Sequence, residues 1–236
     1  MKSVLKNLLK RYGYQISRIT PVLSKNTSQT GEPEYILDYD PKKRDIVKVH
    51  LGCGPRILKH WINIDLAYEP FENYLKYYTD IHYPSELRGD KSHFYALDVT
   101  QQGIPLPNES VDVIFHEDFI EHLSQKNQIV VLVESLRVLK KGGIHRINTP
   151  DLLSSMQINS QFNKGRCGVY VDEWDANGHF NVLTQISLKE LALMVGYKDV
   201  IFNSRNNSVS TLIPSEYRPD LNDRPENGNI FADLIK

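Results

Sequence analysis

The chain has 236 residues, with 28 Lys plus Arg against 29 Asp plus Glu and a formal charge of −1. No basic excess is available to draw the whole molecule onto nucleic acid. The composition, 40% hydrophobic, 24% charged and 10% aromatic, excludes collagen-like, low-complexity and disordered chains, and a chain of this length buries enough apolar surface to fold without a staple. Two cysteines, Cys53 and Cys167, are too few for a disulfide framework or a thiolate zinc site. No apolar run reaches the roughly 18 residues of a membrane span, and residues 1–9 lack a cleavage signal. The expectation is a soluble, cytoplasmic protein.

Residues 1–44 read as a basic helical arm and a linker. Lys2, Lys6, Lys10, Arg11, Arg18 and Lys25 alternate with Val4, Leu5, Leu8, Leu9 and Tyr12 at helical spacing, giving one apolar stripe and one basic face. The simpler expectation is an arm packed on its own domain; the other is contact with an anionic membrane surface or a partner. Pro21, Pro33 and Pro41 mark the linker.

From residue 45 to 236 the pattern becomes one α/β domain. Strands are expected at 46–51, 62–66, 94–99, 111–115, 144–148, 200–202 and 230–235, from β-branched runs stopped by turns. Ile129, Leu132, Val133, Leu136 and Leu139 recur at helical spacing, with Lys140-Lys141-Gly142-Gly143 as the helix exit. Ser187-Leu188-Lys189-Glu190 has the spacing of a capping box opening a second helix. Seven strands with intervening helices imply a doubly wound, mostly parallel sheet.

Leu51-Gly52-Cys53-Gly54 lies where the first strand delivers its carboxyl end, the ligand-binding edge of such sheets. Two glycines one residue apart allow a sharp turn and a close ligand approach. The continuation Pro55-Arg56-Ile57 offers no third glycine, which disfavours a dinucleotide. Asp65 and Asp98 are expected at the ends of strands two and three, suited to a ribose diol and to a purine amino group with Val99 beside it. The pattern asks for an adenosine-like ligand without a pyrophosphate. His116-Glu117-Asp118 and Glu121-His122 follow the fourth strand, as a general base, a divalent-metal site or a helix cap. No His-Glu-x-x-His motif is present, so zinc hydrolysis is not supported and no metal is expected. Residues 165–179, with Tyr170, Trp174 and His179, suit a lid or acceptor pocket, or an ordinary surface loop.

These pieces, from Val49-His50-Leu51-Gly52-Cys53-Gly54 through Ile64-Asp65-Leu66, Leu97-Asp98-Val99 and Ile120-Glu121-His122-Leu123 to Arg137-Val138-Leu139-Lys140-Lys141-Gly142-Gly143, resemble class I S-adenosylmethionine-dependent methyltransferases. The resemblance implies a Rossmann-like fold and S-adenosylmethionine as cofactor. It places Leu51, Gly52, Cys53, Gly54, Asp65, Leu66, Asp98, Val99 and His116 against that cofactor. His50 stands where the family often has an acid, Arg56 where it often has a third glycine, and the stretch from Gly54 to Asp65 is too short for a full crossover helix. The expected reaction is methyl transfer to a small-molecule hydroxyl, preferably of a sugar or glycan intermediate, with His122 and His179 as candidate bases. The glycan preference rests on residues 8–16, which are similar to openings of polysaccharide-modifying methyltransferases. A non-catalytic binding module of the same fold is the alternative. No Asp/Asn-Pro-Pro-Tyr/Phe motif for a flipped base occurs, so a nucleic-acid target is not expected. The sequence does not give the oligomeric state.

Overall fold

Short β-branched segments separated by turns assemble into a seven-stranded sheet. The computed structural model describes residues 46–71, 83–156, 174, 177–216 and 228–236. The N-terminal arm, the linker and the domain boundary at 44/45 lie outside them, as do Tyr170 and Cys167.

The strands are β1 (Lys48–Leu51), β2 (Ile62–Asp65), β3 (Phe94–Ala96), β4 (Val111–Glu117), β5 (Leu139–Pro150), β6 (Asp199–Asn203) and β7 (Asn229–Ile235). The order across the sheet is β3-β2-β1-β4-β5-β7-β6. Neighbours from β3 to β5 are parallel, and β7 runs antiparallel between β5 and β6. This is the expected mostly parallel α/β sheet, with its order reversing between β1 and β4. At such a switch point the flanking loops diverge and leave a crevice at the carboxyl ends of the strands.

The helices are α1 (Val99–Gln102), α2 (Gln125–Val138), α3 (Leu152–Met156) and α4 (Gln185–Val195). Tyr197, just past α4, donates its hydroxyl to the Leu132 carbonyl of α2 at 3.2 Å and meets His145 Nδ1 of β5 at 2.9 Å. That contact sets α2 and α4 over the sheet face carrying His145. The other face, which presents Val113, Phe115 and Ile144, is covered by Leu58, Trp61 and Tyr83, with Phe71, Leu212 and Ile213 packed alongside. Segments rather than a full helix cover it next to β1, because the stretch from Gly54 to Asp65 is spent on turns and the bridge Leu58–Arg88. The short first crossover expected from the sequence is therefore present.

Three local expectations are corrected. Strand three ends at Ala96, so Asp98 stands beyond it and caps α1, its Oδ1 accepting from Thr100 N at 2.9 Å. Helix α4 begins at Gln185, earlier than the capping box placed it. Thr184 is its cap, and Ser187 returns the bond from the third position. Helix α2 ends at Val138, and Lys140 to Gly143 already belong to β5, drawn into the sheet by the Gly142 N–H donating to the Lys236 carbonyl at 3.0 Å.

Candidate active site

The site is built where β1, β2 and β4 deliver their carboxyl ends. Leu51 closes β1 in the core, and Gly52 turns the chain at φ +57°. A Cβ on Gly52 would fall 2.4 Å from Cδ2 of Phe119, so only glycine lets the segment after β4 pack onto this turn. Gly54, at φ +49°, has nothing within 4 Å of where its Cβ would stand. That open face is the space a ligand needs. Cys53 between them is buried, and burial pushes its thiol well above the usual range, which leaves it inert.

Asp65 ends β2 beside this turn. Its Oδ2 accepts from Gly54 N at 2.8 Å and its Oδ1 from Leu66 N at 2.6 Å. Each oxygen keeps a lone pair for a further donor, which suits a ribose diol. Leu97 N donates to Asp65 O at 2.9 Å, holding the ends of β2 and β3 together. Asp98 follows on that edge; its Oδ1 takes both the N–H and the hydroxyl of Thr100. Its Oδ2 has no partner among the described residues. Val99 is buried, and Leu66 is exposed on the rim. Open glycine turn, strand-end carboxylate and second acid line one edge, so these residues fit S-adenosylmethionine.

His116 sits differently from the other expected contacts. It is fully buried in β4, its ring edge-on to Phe119 at 5.4 Å and to His145 at 5.1 Å. Burial pushes its imidazole down to about 3, so it is neutral. It supports the Phe119 ring edge-on. His50 faces the opposite side of the sheet. It stacks on Phe115 at 5.1 Å and contacts Asn63 Oδ1 at 3.3 Å.

Arg56 is not a gap left by a missing glycine. Its guanidinium is buried and donates to Glu117 Oε2 at 2.5 Å and to the Ser215 carbonyl. Glu117 also accepts from Asn148 of β5 at 3.3 Å, and Asn148 accepts from Asn229 of β7 at 2.5 Å. This polar rail ties the glycine-turn loop to three strands. Its only sequence signal is a polar residue at the end of each of several core strands.

After β4 the chain passes through Asp118 at φ +46°, a strained conformation for a non-glycine residue. It then forms a 3-10 turn, Ile120–His122. Here the structure joins the two candidate bases. The rings of His122 and His179 lie edge to face at 4.7 Å. Phe180 N and Asn181 N both donate to the Glu121 carbonyl, at 2.8 and 3.1 Å, locking the 178–181 segment against the turn. Glu121 is buried, its Oε2 accepting from Thr149 Oγ1 at 3.0 Å. Partial burial of the ring, with His179 close by, holds the His122 imidazole below its ordinary value. The sequence singled out both histidines but gave no signal that they meet, since they lie 57 positions apart. Of the aromatic stretch before His179, Trp174 is described; its carbonyl accepts from Gly178 N at 2.9 Å.

The sheet order, the glycine turn and the two acids beside it are those expected of a class I S-adenosylmethionine-dependent methyltransferase. Residues 49–147, which contain the glycine turn and both acids, match the family described as a methyltransferase domain. Among solved structures, the chain is similar to a methyltransferase dependent on the same cofactor from Archaeoglobus fulgidus (14% identity, TM-score 0.49, over 100% of this chain and 95% of that one). It is also similar to one from Thermotoga maritima described as a possible histamine N-methyltransferase (15%, 0.47, over 83% and 84%). A third is from Mesorhizobium loti (14%, 0.47, over 80% and 90%). A comparison with curated proteins finds no match.

Proposed function

We propose that this methyltransferase acts on a hydroxyl of a small-molecule acceptor, with a sugar or glycan intermediate as the preferred class. The observation that carries the reading is the His122–His179 pair, formed where the 178–181 segment docks on the turn that follows Phe119, whose ring packs on Gly52. A hydroxyl is a poor nucleophile until its proton begins to leave, and a paired imidazole site is suited to promote that loss. An amine acceptor needs less help.

When bound, S-adenosylmethionine supplies an electrophilic methyl group on a sulfonium. The open face of Gly54 would admit it to the turn that Gly52 shapes, Asp65 would hold its ribose, and Asp98 with Val99 would contact its adenine. Phe119 closes the groove over the buried His116. The histidine pair aligns the acceptor oxygen and promotes proton loss as the oxygen–carbon bond forms and the carbon–sulfur bond breaks, which is mostly a matter of orientation.

A cytoplasmic setting, an arm and linker over residues 1–44 and its contact with an anionic surface belong to the same proposal. Among the described residues no helix is long and apolar enough to cross a membrane. A non-catalytic binding module is the second reading, favoured by His50 standing in the place of the family's acid and turning away from the groove.

The test is transfer of radiolabelled methyl to a panel of sugars, nucleotide sugars and amines. Labelling of hydroxylated acceptors, cut by about 10²–10⁴-fold in His122→Ala or His179→Ala while cofactor binding persists, supports the reading. Labelling of amines alone, or unchanged rates in both variants, overturns it; cofactor binding with no labelling supports the module.

A further inference from the structure

We propose that Glu121, His122 and His179 form a site for a divalent transition-metal ion of the zinc type, on the acceptor side of the groove. For its role in the reaction this rests on the reading above; for the binding itself it does not.

The donor atoms of the three side chains all lie within 4.8 Å of one another. Ligands about 2.0–2.1 Å from a tetrahedral zinc ion stand roughly 3.3–3.4 Å apart. The set therefore closes by a modest side-chain rotation, and His122, the exposed member, is free to make it. The two segments that carry the donors are already fixed to each other. Besides the two bonds to the Glu121 carbonyl, Gln128 Nε2 donates to the carbonyls of Ile120 and Asn181, each at 2.9 Å, and Asn181 Nδ2 donates back to Gln128 Oε1 at 2.8 Å. A donor set held by this framework loses little entropy on binding.

Contacts behind the donors have the form that metal ligands use. Thr149 Oγ1 donates to Glu121 Oε2 and orients the carboxylate. His122 Nδ1 lies 3.4 Å from the Gly178 carbonyl. A proton placed there leaves Nε2 as the donor to a metal. Two imidazoles and one carboxylate suit zinc and its borderline neighbours, whereas magnesium and calcium prefer all-oxygen sets. Three protein donors leave a position open, the arrangement of catalytic rather than structural zinc. An acceptor hydroxyl oxygen fits that position. The pair would then promote proton loss through the ion, with the proton leaving to solvent, rather than by taking it directly.

The experiment is a titration of the metal-stripped full-length protein with Co²⁺ at neutral pH, followed by visible ligand-field absorption and then by displacement with Zn²⁺ or Mg²⁺. The expected result is one ion per chain, displaced by Zn²⁺ and not by Mg²⁺. His179→Ala and Glu121→Gln should each abolish the spectrum, and Thr149→Val should weaken binding by about tenfold. S-adenosylhomocysteine binding, measured on the same samples, should be unchanged in Glu121→Gln, which shows that the variant folds and keeps the two readings separable. No spectrum in the wild-type protein, or one that survives both His179→Ala and Glu121→Gln, overturns the site.

Discussion

At Gly52 two requirements coincide: a left-handed backbone and a neighbouring aromatic ring where a side chain would start. Gly52→Ala pays for the first by about 1–2 kcal/mol and must also push Phe119 off the turn. The expected outcome is a folded protein with lower thermal stability and a cofactor affinity reduced at least tenfold, measured by calorimetry. Gly54 shares the backbone sign but faces open space, so Gly54→Ala should cost affinity more than stability. The glycine doublet and the acids were legible because each is a residue type that a strand-end ligand site demands. The pairing of His122 with His179 was not, since it depends on Asn181 and Phe180 docking on the Glu121 carbonyl, a backbone contact with no residue signature.

Among the elements, β5 carries the largest charge burden. Arg146 is fully buried and donates to both oxygens of Glu216 at 2.8 Å, with Asp233 of β7 at 3.4 Å. Asp233 in turn accepts from Asn203 of β6 at 2.6 Å and from Ser208 at 2.8 Å. Arg146→Met would leave two buried carboxylates without their cation, at a cost of about 3–5 kcal/mol. Denaturant unfolding should show this as a lowered midpoint with little change in slope; a loss under 1 kcal/mol would mean the network contributes little. The arginine in the fifth strand was visible in the sequence, but its partner Glu216, 70 positions away, was not. Strand positions were readable from β-branched runs, whereas ends were not. Thr184 outcompetes Ser187 as a cap because the start of α4 is set by Asp151 and Leu183 forming a bridge just before it.

For the molecule as a whole, the buried histidines set the response to acid. Burial pushes His50 and His116 down to about 3 and His145 well below its ordinary value. In the unfolded chain each titrates near 6.5, so between about pH 6.5 and 3 the unfolded state binds more protons. Stability is then full above the unfolded value and falls with pH, each histidine adding a slope of about 1.4 kcal/mol per pH unit across that window. Melting temperature should drop steadily below about pH 6.5, and His50→Gln should flatten the slope by one proton's share. A melting temperature constant down to pH 4 would show that these rings reach solvent. The same sheet that hides these rings presents its acids and glycines at one edge, the edge that should bind the cofactor. The direct measurement is calorimetric titration of the full-length protein with S-adenosylhomocysteine, for the wild type and for Asp65→Ala. One site per chain is expected, weakened in the variant by about 1.5–3 kcal/mol, the range for hydrogen bonds to a charged group; no binding by the wild type, or equal affinity in a folded Asp65→Ala, would contradict it.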